Sequence, residues 1–308
     1  MSKVAVQLLS WNGAKHLPVV LASLAAQTFA DFELLVLDNA STDGSAGLVK
    51  DALKTFPRPA RFLQSETNLG FAGGHNRLFA MNAAPYVFCV NQDTSMDKDY
   101  LAVLVAFLEA TPGAAAVAGA LHHDDGSMDT AGLKKNWYEK VSDIKIPPRG
   151  AATPVFGVSG ALPVYRRAAA LAVSPDGKLF DENFFAYKED VDLAWRLGTF
   201  GWRAYVVAAA EAVHERGFGE DKKWNPAYFR KQRLSSRNHL LVLVKNLPPA
   251  DYWRVPAIVF YELGKIAYLA VFVPRALGFL PEFFRLLPQT LKMRKVLRNK
   301  LKPVKSHV

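Results

Sequence analysis

Three short apolar runs, each ending in polar residues, constrain this chain more than any other feature. Lys3 to Ser10 (KVAVQLLS), Phe32 to Leu37 (FELLVL) and Pro85 to Val90 (PYVFCV) read as buried strands. Pro18 to Ala26 has helical spacing, and Arg61 to Gln64 is a further short strand. Strands that alternate with helices argue for a mostly parallel sheet of the α/β class. In such sheets ligands bind beyond the carboxyl ends of the strands. Ser10, Asp38 and Asn91-Gln92-Asp93 fall at those ends.

Each end carries its own chemistry. Asp38 opens DNASTDG, where a carboxylate can accept from a base N–H or a ribose hydroxyl; the same stretch also reads as a polar turn capping the next helix through Ser41 or Thr42. Asp93 offers hard oxygen to a divalent cation, with substrate phosphates completing the shell. Asn68 to Asn76 (NLGFAGGHN) holds Gly70, Gly73 and Gly74, which permit close backbone approach to a phosphate at the following helix. Neither a GxGxxG nor a Walker loop is present.

Further on, Leu101 to Leu108 reads as a helix and Ala114 to Ala120 as a strand. Residues 122–154 read as loops, and His122-His123-Asp124-Asp125 as a hairpin turn rather than a metal cluster. Val155 to Val164 reads as a glycine-interrupted strand leading to Arg166 and Arg167. Those two arginines suit a diphosphate, an anionic acceptor or simply a solvated helix start.

Glu189, Asp190 and Asp192 precede a run whose spacing suits a short amphipathic helix. Asp190 then lies near the helix N-terminus, where the dipole favours an ionised carboxylate able to take a proton from a hydroxyl. Arg203 to Val207 carries the chain as a strand to His214. A carboxylate and a histidine bracketing one helix–strand unit suggest a site; an acidic helix start and a surface histidine give the same letters.

The single cysteine, Cys89, sits in an apolar run, allows no internal disulfide and fits a reducing compartment. From Arg285 onward come eight basic residues and no acidic one, which accounts for +8 of the net +10. The basic character thus belongs to the tail, and nucleic acid is not implied for the main domain. An anionic membrane surface is the expected partner, because Val255 to Phe284 is strongly apolar. Glu262, Lys265, Pro274, Arg275, Pro281 and Glu282 interrupt it, leaving no uncharged stretch of the roughly 20 residues needed to span. An in-plane helix or shallow hairpin is expected; a packed helical subdomain or a homodimer interface is the alternative.

LLSWNG, AQTFADFELLVLDNASTDGS, NLGFAGGHN, FCVNQDT, VSGALPVYRR, FDENFFAYKEDVDLAWRL and AVHERG together resemble family 2 glycosyltransferases of the GT-A fold, on their rhamnosyltransferase-like branch. The resemblance implies a catalytic domain over 1–220 and a helical, membrane-associating extension over 221–308. It implies inverting transfer of a sugar from a nucleotide-sugar to an acceptor hydroxyl, assisted by Mg or Mn. Asp38 matches the aspartate that contacts the base, with Ser10 near it. Asn91-Gln92-Asp93 takes the place of the Asp-x-Asp motif, Asp190 that of the general base after Glu189, and His214 that of a metal-site histidine. Asparagine at the first Asp-x-Asp position removes one negative charge beside the diphosphate.

The reading that follows is an enzyme on the cytoplasmic face of the membrane, acting on a lipid-linked saccharide in polysaccharide synthesis, with dTDP-rhamnose as donor. Two rivals are a catalytically silent scaffold of an assembly complex and a nucleotidyltransferase. Retained Asp93, Asp190 and His214 argue against the first; a single glycine in Ser10-Trp11-Asn12-Gly13 argues against the second.

Overall fold

The structure, a computed structural model, describes residues 2–215 and 226–301. The first half is built of strand–helix units: β1 (Val4–Ser10), α1 (Leu17–Ala25), β2 (Phe32–Asp38), α2 (Ser45–Leu53), β3 (Ala60–Gln64), α3 (Gly70–Phe79) and β4 (Tyr86–Asn91). β1 pairs in parallel with β2 and β4, and β2 with β3. The register sets Ser10 beside Asp38 and Leu9 beside Asn91, so the polar strand ends share one edge.

The second half comprises β5 (Thr94–Met96), α4 (Tyr100–Ala110), β6 (Ala114–His122), β7 (Met128–Thr130), β8 (Leu133–Lys135), β9 (Val141–Asp143), β10 (Ala152–Val155), β11 (Val164–Arg166), α5 (Arg167–Ala172), α6 (Glu189–Thr199) and β12 (Arg203–His214). The main sheet runs β10-β12-β6-β11-β4-β1-β2-β3, with β5 on β12 and β7 on β6. β11 is antiparallel to both neighbours. Alternating side chains face opposite layers. Val4, Val6 and Leu8 pack with Leu17, Val20 and Leu104 of α1 and α4. On the other face Val87 and Cys89 pack with Ala72 of α3 and Leu193 of α6. Cys89 is fully buried, and burial holds its thiol well above the usual range.

Several local expectations need correction. Residues 122–154 are not all loop: β7, β8, β9 and most of β10 lie there, each of three or four residues and too short to show a period. Val155 to Val164 is not a strand; β10 ends at Val155 and β11 begins at Val164. Between them Gly157 and Gly160 belong to a loop against α6, where a Cβ on Gly157 would stand 2.4 Å from Ala194 Cβ. Ser41 and Thr42 do not cap α2, whose N-cap is Gly44 at φ 90°. They tie the 39–45 loop to the one after β1 instead, through Asn12. His123 to Ser127 does form the expected hairpin turn.

α7 (Pro226–Asn246), α8 (Val255–Phe272) and α9 (Phe279–Leu301) complete the described chain. The boundary expected near residue 220 lies outside the described residues, as do Arg216, Gly217, Lys302 and Lys305. The helical stretch Pro249–Phe272, 24 residues, is long and apolar enough to cross a membrane, which the count of uncharged residues did not anticipate. The structure turns its charges inward. Glu262 is buried against His239 of α7 at 2.8 Å, with Lys265 3.7 Å from it. The outward face (Val259, Phe260, Leu263, Tyr268, Val271) carries no charge.

Candidate active site

A cleft of about 820 Å³ opens at the carboxyl edge of β1 and β4, a size suited to a small-molecule ligand. Asn91 and Asp93 line one side, Asn68 and Gly70 another, and Phe185 to Tyr187 a third. The first turns of α7 close it: Arg230 stands 5.9 Å from the Trp11 ring centroid and 5.2 Å from that of Phe185. α7 was not expected to contribute to the cleft, because nothing in its sequence marks a ligand.

Asp93 and His214 meet across β5 and β12, with Asp93 Oδ1 3.5 Å from His214 Nε2. His214 Nδ1 lies 2.8 Å from Oδ2 of Asp129, a fully buried carboxylate on β7. Burial by itself would lower the imidazole, but bonds to Asp129 and Asp93 outweigh it and raise it to about 9. Asp129 fixes the ring so that Nε2 faces Asp93, the arrangement metal-ligating histidines use. Carboxylate oxygen and imidazole nitrogen at this spacing fit a divalent cation that displaces the Nε2 proton, its remaining ligands coming from phosphate and water. No group of three or more His, Cys, Asp or Glu gathers for a metal among the described residues. Asp129 escaped the sequence reading because it stands 85 positions from His214.

Glu189 and Asp190 open α6, as expected. Asp190 Oδ1 accepts from Val191 N–H at 2.7 Å and Oδ2 from Gly160 N–H at 3.1 Å. Gly160 connects this carboxylate to the cleft: a Cβ there would lie 3.4 Å from Phe71 Cζ and 3.7 Å from Asp190 Oδ2, and Phe71 lines the cleft. Burial raises Asp190, outweighing Lys188 and the two N–H donors, so the helix terminus does not dominate. Burial and then the Asp190 charge push Glu189 up to about 8. At neutral pH Glu189 therefore largely keeps its proton, so a charge on Asp190 meets no second carboxylate charge beside it.

The remaining expected site residues divide. Ser10 and Asp38 are fully buried side by side; Ser10 Oγ and Asp38 Oδ1 have no partner among the described residues, while Asp38 Oδ2 accepts from Ser41 N–H. Asn68 Oδ1 accepts from Asn39 Nδ2 and from Gly70 N–H, so it shapes the cleft wall. Gly70, at φ 73°, brings α3 under Phe185, where a Cβ would meet the Phe185 carbonyl at 2.4 Å. Gly74 is corrected: it lies inside α3, and a Cβ would meet Leu9 Cδ1 at 2.4 Å, so it serves packing. The α3 N-terminus is also not open to a phosphate, since Gly70 N–H and Ala72 N–H bond Asn68 and Phe185. Arg166 is corrected too. Its guanidinium donates to the carbonyls of Ala114, Leu108 and Thr111 and does not line the cleft.

Residues 8–172, more than half of the chain, match the profile of Glycosyl transferase family 2. A relative from Mycobacterium tuberculosis, N-acetylglucosaminyl-diphospho-decaprenol L-rhamnosyltransferase, is 27% identical over 82% of this chain and 86% of its own. Among solved structures, the mannosyltransferase PcManGT from Pyrobaculum calidifontis, in complex with GDP-Man and Mn2+, superposes with a TM-score of 0.60 at 17% identity. It covers 97% of this chain and 86% of that one. S. aureus TarS has a TM-score of 0.59 at 18% identity, covering 97% of this chain and 52% of that one. These likenesses share the GT-A fold described above. The chain belongs to glycosyltransferase family 2.

Proposed function

We propose that this glycosyltransferase inverts the anomeric centre of a sugar, rhamnose from dTDP-rhamnose, as it moves it to a hydroxyl of a lipid-linked saccharide in cell-surface polysaccharide synthesis. The observation that supports the reading is that Asp93, in contact with His214, lines the same cleft as Phe71, behind which Gly160 leads to Asp190. A Mg or Mn ion held by Asp93 and His214 would offset charge on the departing nucleoside diphosphate. Asp38 and Ser10, whose buried oxygens have no partner among the described residues, are assigned to the nucleoside end, behind the cleft lining. Arg230 adds a cation at the mouth. Asp190, beside an acceptor hydroxyl, takes its proton while the oxygen attacks the sugar on the face opposite the leaving group. Its raised pKa makes it the stronger base, and Glu189 keeps the second charge away. The rhamnose donor and lipid-linked acceptor are supported by the mycobacterial relative's name alone.

Attachment to the cytoplasmic face of the membrane belongs to the same reading. It is supported by the uncharged outer face of α8, where Phe260 is 81% exposed and Val271 72%. On α9, Arg285, Lys292, Lys295 and Lys300 are exposed, while Arg294 and Arg298 are half-buried against Tyr252.

A panel of nucleotide-sugars tests the function. Hydrolysis or transfer from dTDP-rhamnose that EDTA abolishes is expected. A clear preference for UDP-hexoses overturns the donor, and activity indifferent to EDTA overturns the metal. A silent scaffold would turn over no donor at all.

A further inference from the structure

We infer that Asn238, on α7 and outside the matched family region, is a positioning residue that holds Asp190 in place for proton transfer. The inference rests on Asp190 being the base. The segment leading into Asp190 is costly to hold: Phe185, Tyr187 and Lys188 have φ of 62°, 72° and 72°. Non-glycine residues keep such angles only where their surroundings over-determine them.

Here the surroundings come from α7. The two N–H groups of the fully buried Asn238 side-chain amide are shared among the carbonyls of Phe184 at 2.9 Å, Ala186 at 2.9 Å and Tyr187 at 2.7 Å. Its oxygen accepts from Arg237 Nε at 2.9 Å, which fixes the amide orientation. Arg237 Nη2 in turn donates to the carbonyls of Asn183 and Phe184. From the other side, Asn76 of α3 grips the start of the same segment through Phe180. The segment is thus held at both ends, and α6 starts directly from the end that Asn238 holds. Asn238 touches no part of the cleft lining itself except through Ala186 and Tyr187, so it acts on the reaction through the backbone it fixes. Arg237 also binds Glu282 of α9 at 2.9 Å, which ties the clamp to the C-terminal helices.

Backbone amide exchange read by mass spectrometry over 183–191 and 157–162 tests the holding without any ligand. Asn238→Ala should speed exchange there at least tenfold, because the segment and the Val191 and Gly160 amides that bond Asp190 lose their support. Exchange in β1 and β4 should stay unchanged. Unchanged exchange over 183–191 overturns the inference. Turnover with dTDP-rhamnose tests the consequence: Asn238→Ala should lower kcat at least tenfold and the donor KM less than threefold. In an Asp190→Asn background the same substitution should change turnover less than twofold. An equal fold loss in both backgrounds means Asn238 acts independently of Asp190 and overturns the inference. Full transfer by Asp190→Asn alone instead overturns the functional reading, whatever Asn238 does. If Asn238→Ala does not fold, Arg237→Lys, which keeps a charge for Glu282 but loses the fork to the 183 and 184 carbonyls, gives the same readouts; wild-type exchange and kcat in that variant overturn the inference equally.

Discussion

Lys245 Nζ of α7 lies 3.0 Å from Asp192 Oδ2 of α6, and both side chains are fully buried. The same ammonium bonds Asp181 at 2.8 Å, while Asn246 and Arg196 complete the Asp192 carboxylate. α7 is therefore joined to α6 and to the Asp181 turn by charge that water does not screen. Removing one partner strands the other in the interior. Lys245→Ala should lower stability by about 3–5 kcal/mol. A urea midpoint within error of wild type would show that the Lys245 ion pairs do not stabilise the fold.

Glu189 gives a pH signature. Its folded pKa is raised to about 8 from an ordinary 4.5, so between those values the folded protein binds the extra proton. Stability contributed by this group then falls as pH rises from about 4.5 to about 8. Glu189→Gln removes that slope and should be the more stable protein at pH 8, by about 4 kcal/mol at roughly 1.36 kcal/mol per pH unit, with no gain at pH 4.5. Thermal unfolding of both proteins across the window checks it; parallel curves would mean that Glu189 titrates normally.

The donor site separates from the base by binding alone. Asp93→Ala should weaken dTDP binding in the presence of Mg or Mn at least tenfold, and His214→Ala should do so less. Neither should alter binding measured in EDTA. Arg230→Ala should weaken dTDP with or without metal and leave thymidine unaffected, because only the diphosphate meets a cation. Titration calorimetry with the two ligands distinguishes these cases, and equal losses for thymidine would reassign Arg230 to the wall of the cleft.

Membrane attachment separates into two contributions. Each exposed basic residue near an anionic surface contributes on the order of 1 kcal/mol, reduced by salt. Replacing Arg285, Lys292 and Lys295 by Gln should weaken liposome binding and flatten its salt dependence. Phe260→Glu with Val271→Glu should release the protein at all salt concentrations without unfolding it, since both side chains are exposed. Cosedimentation with anionic vesicles decides: no binding of the intact chain at low salt ends the anchor reading.

The parallel strands were legible because burial on both faces makes their letters continuously apolar, and the strand ends then located Ser10, Asp38 and Asp93. Asp190 was legible as the start of a helix. What the letters could not carry depends on long-range contact. Asp129 reaches His214 only through the β6–β7 hairpin. Asn238 is an ordinary helical residue until three carbonyls from 184–187 converge on it. Arg166 shows the reverse error: beside a motif, it suits a phosphate as well as it suits the carbonyls it actually binds. The apolar character of the Pro249–Phe272 helix is hidden in the letters, because a linear run of residues does not show that Glu262 takes the buried face.

The central claim is that Asp190 takes the proton of the acceptor hydroxyl, and steady-state transfer by Asp190→Asn tests it most directly. Asparagine keeps the size of the side chain and an oxygen for Gly160 N–H, but cannot accept the proton. With dTDP-rhamnose and a polyprenyl-diphosphate-linked saccharide, kcat should fall by about 10² or more while dTDP affinity and thermal stability stay near wild type. Transfer at a near-wild-type rate by the folded variant would contradict the account.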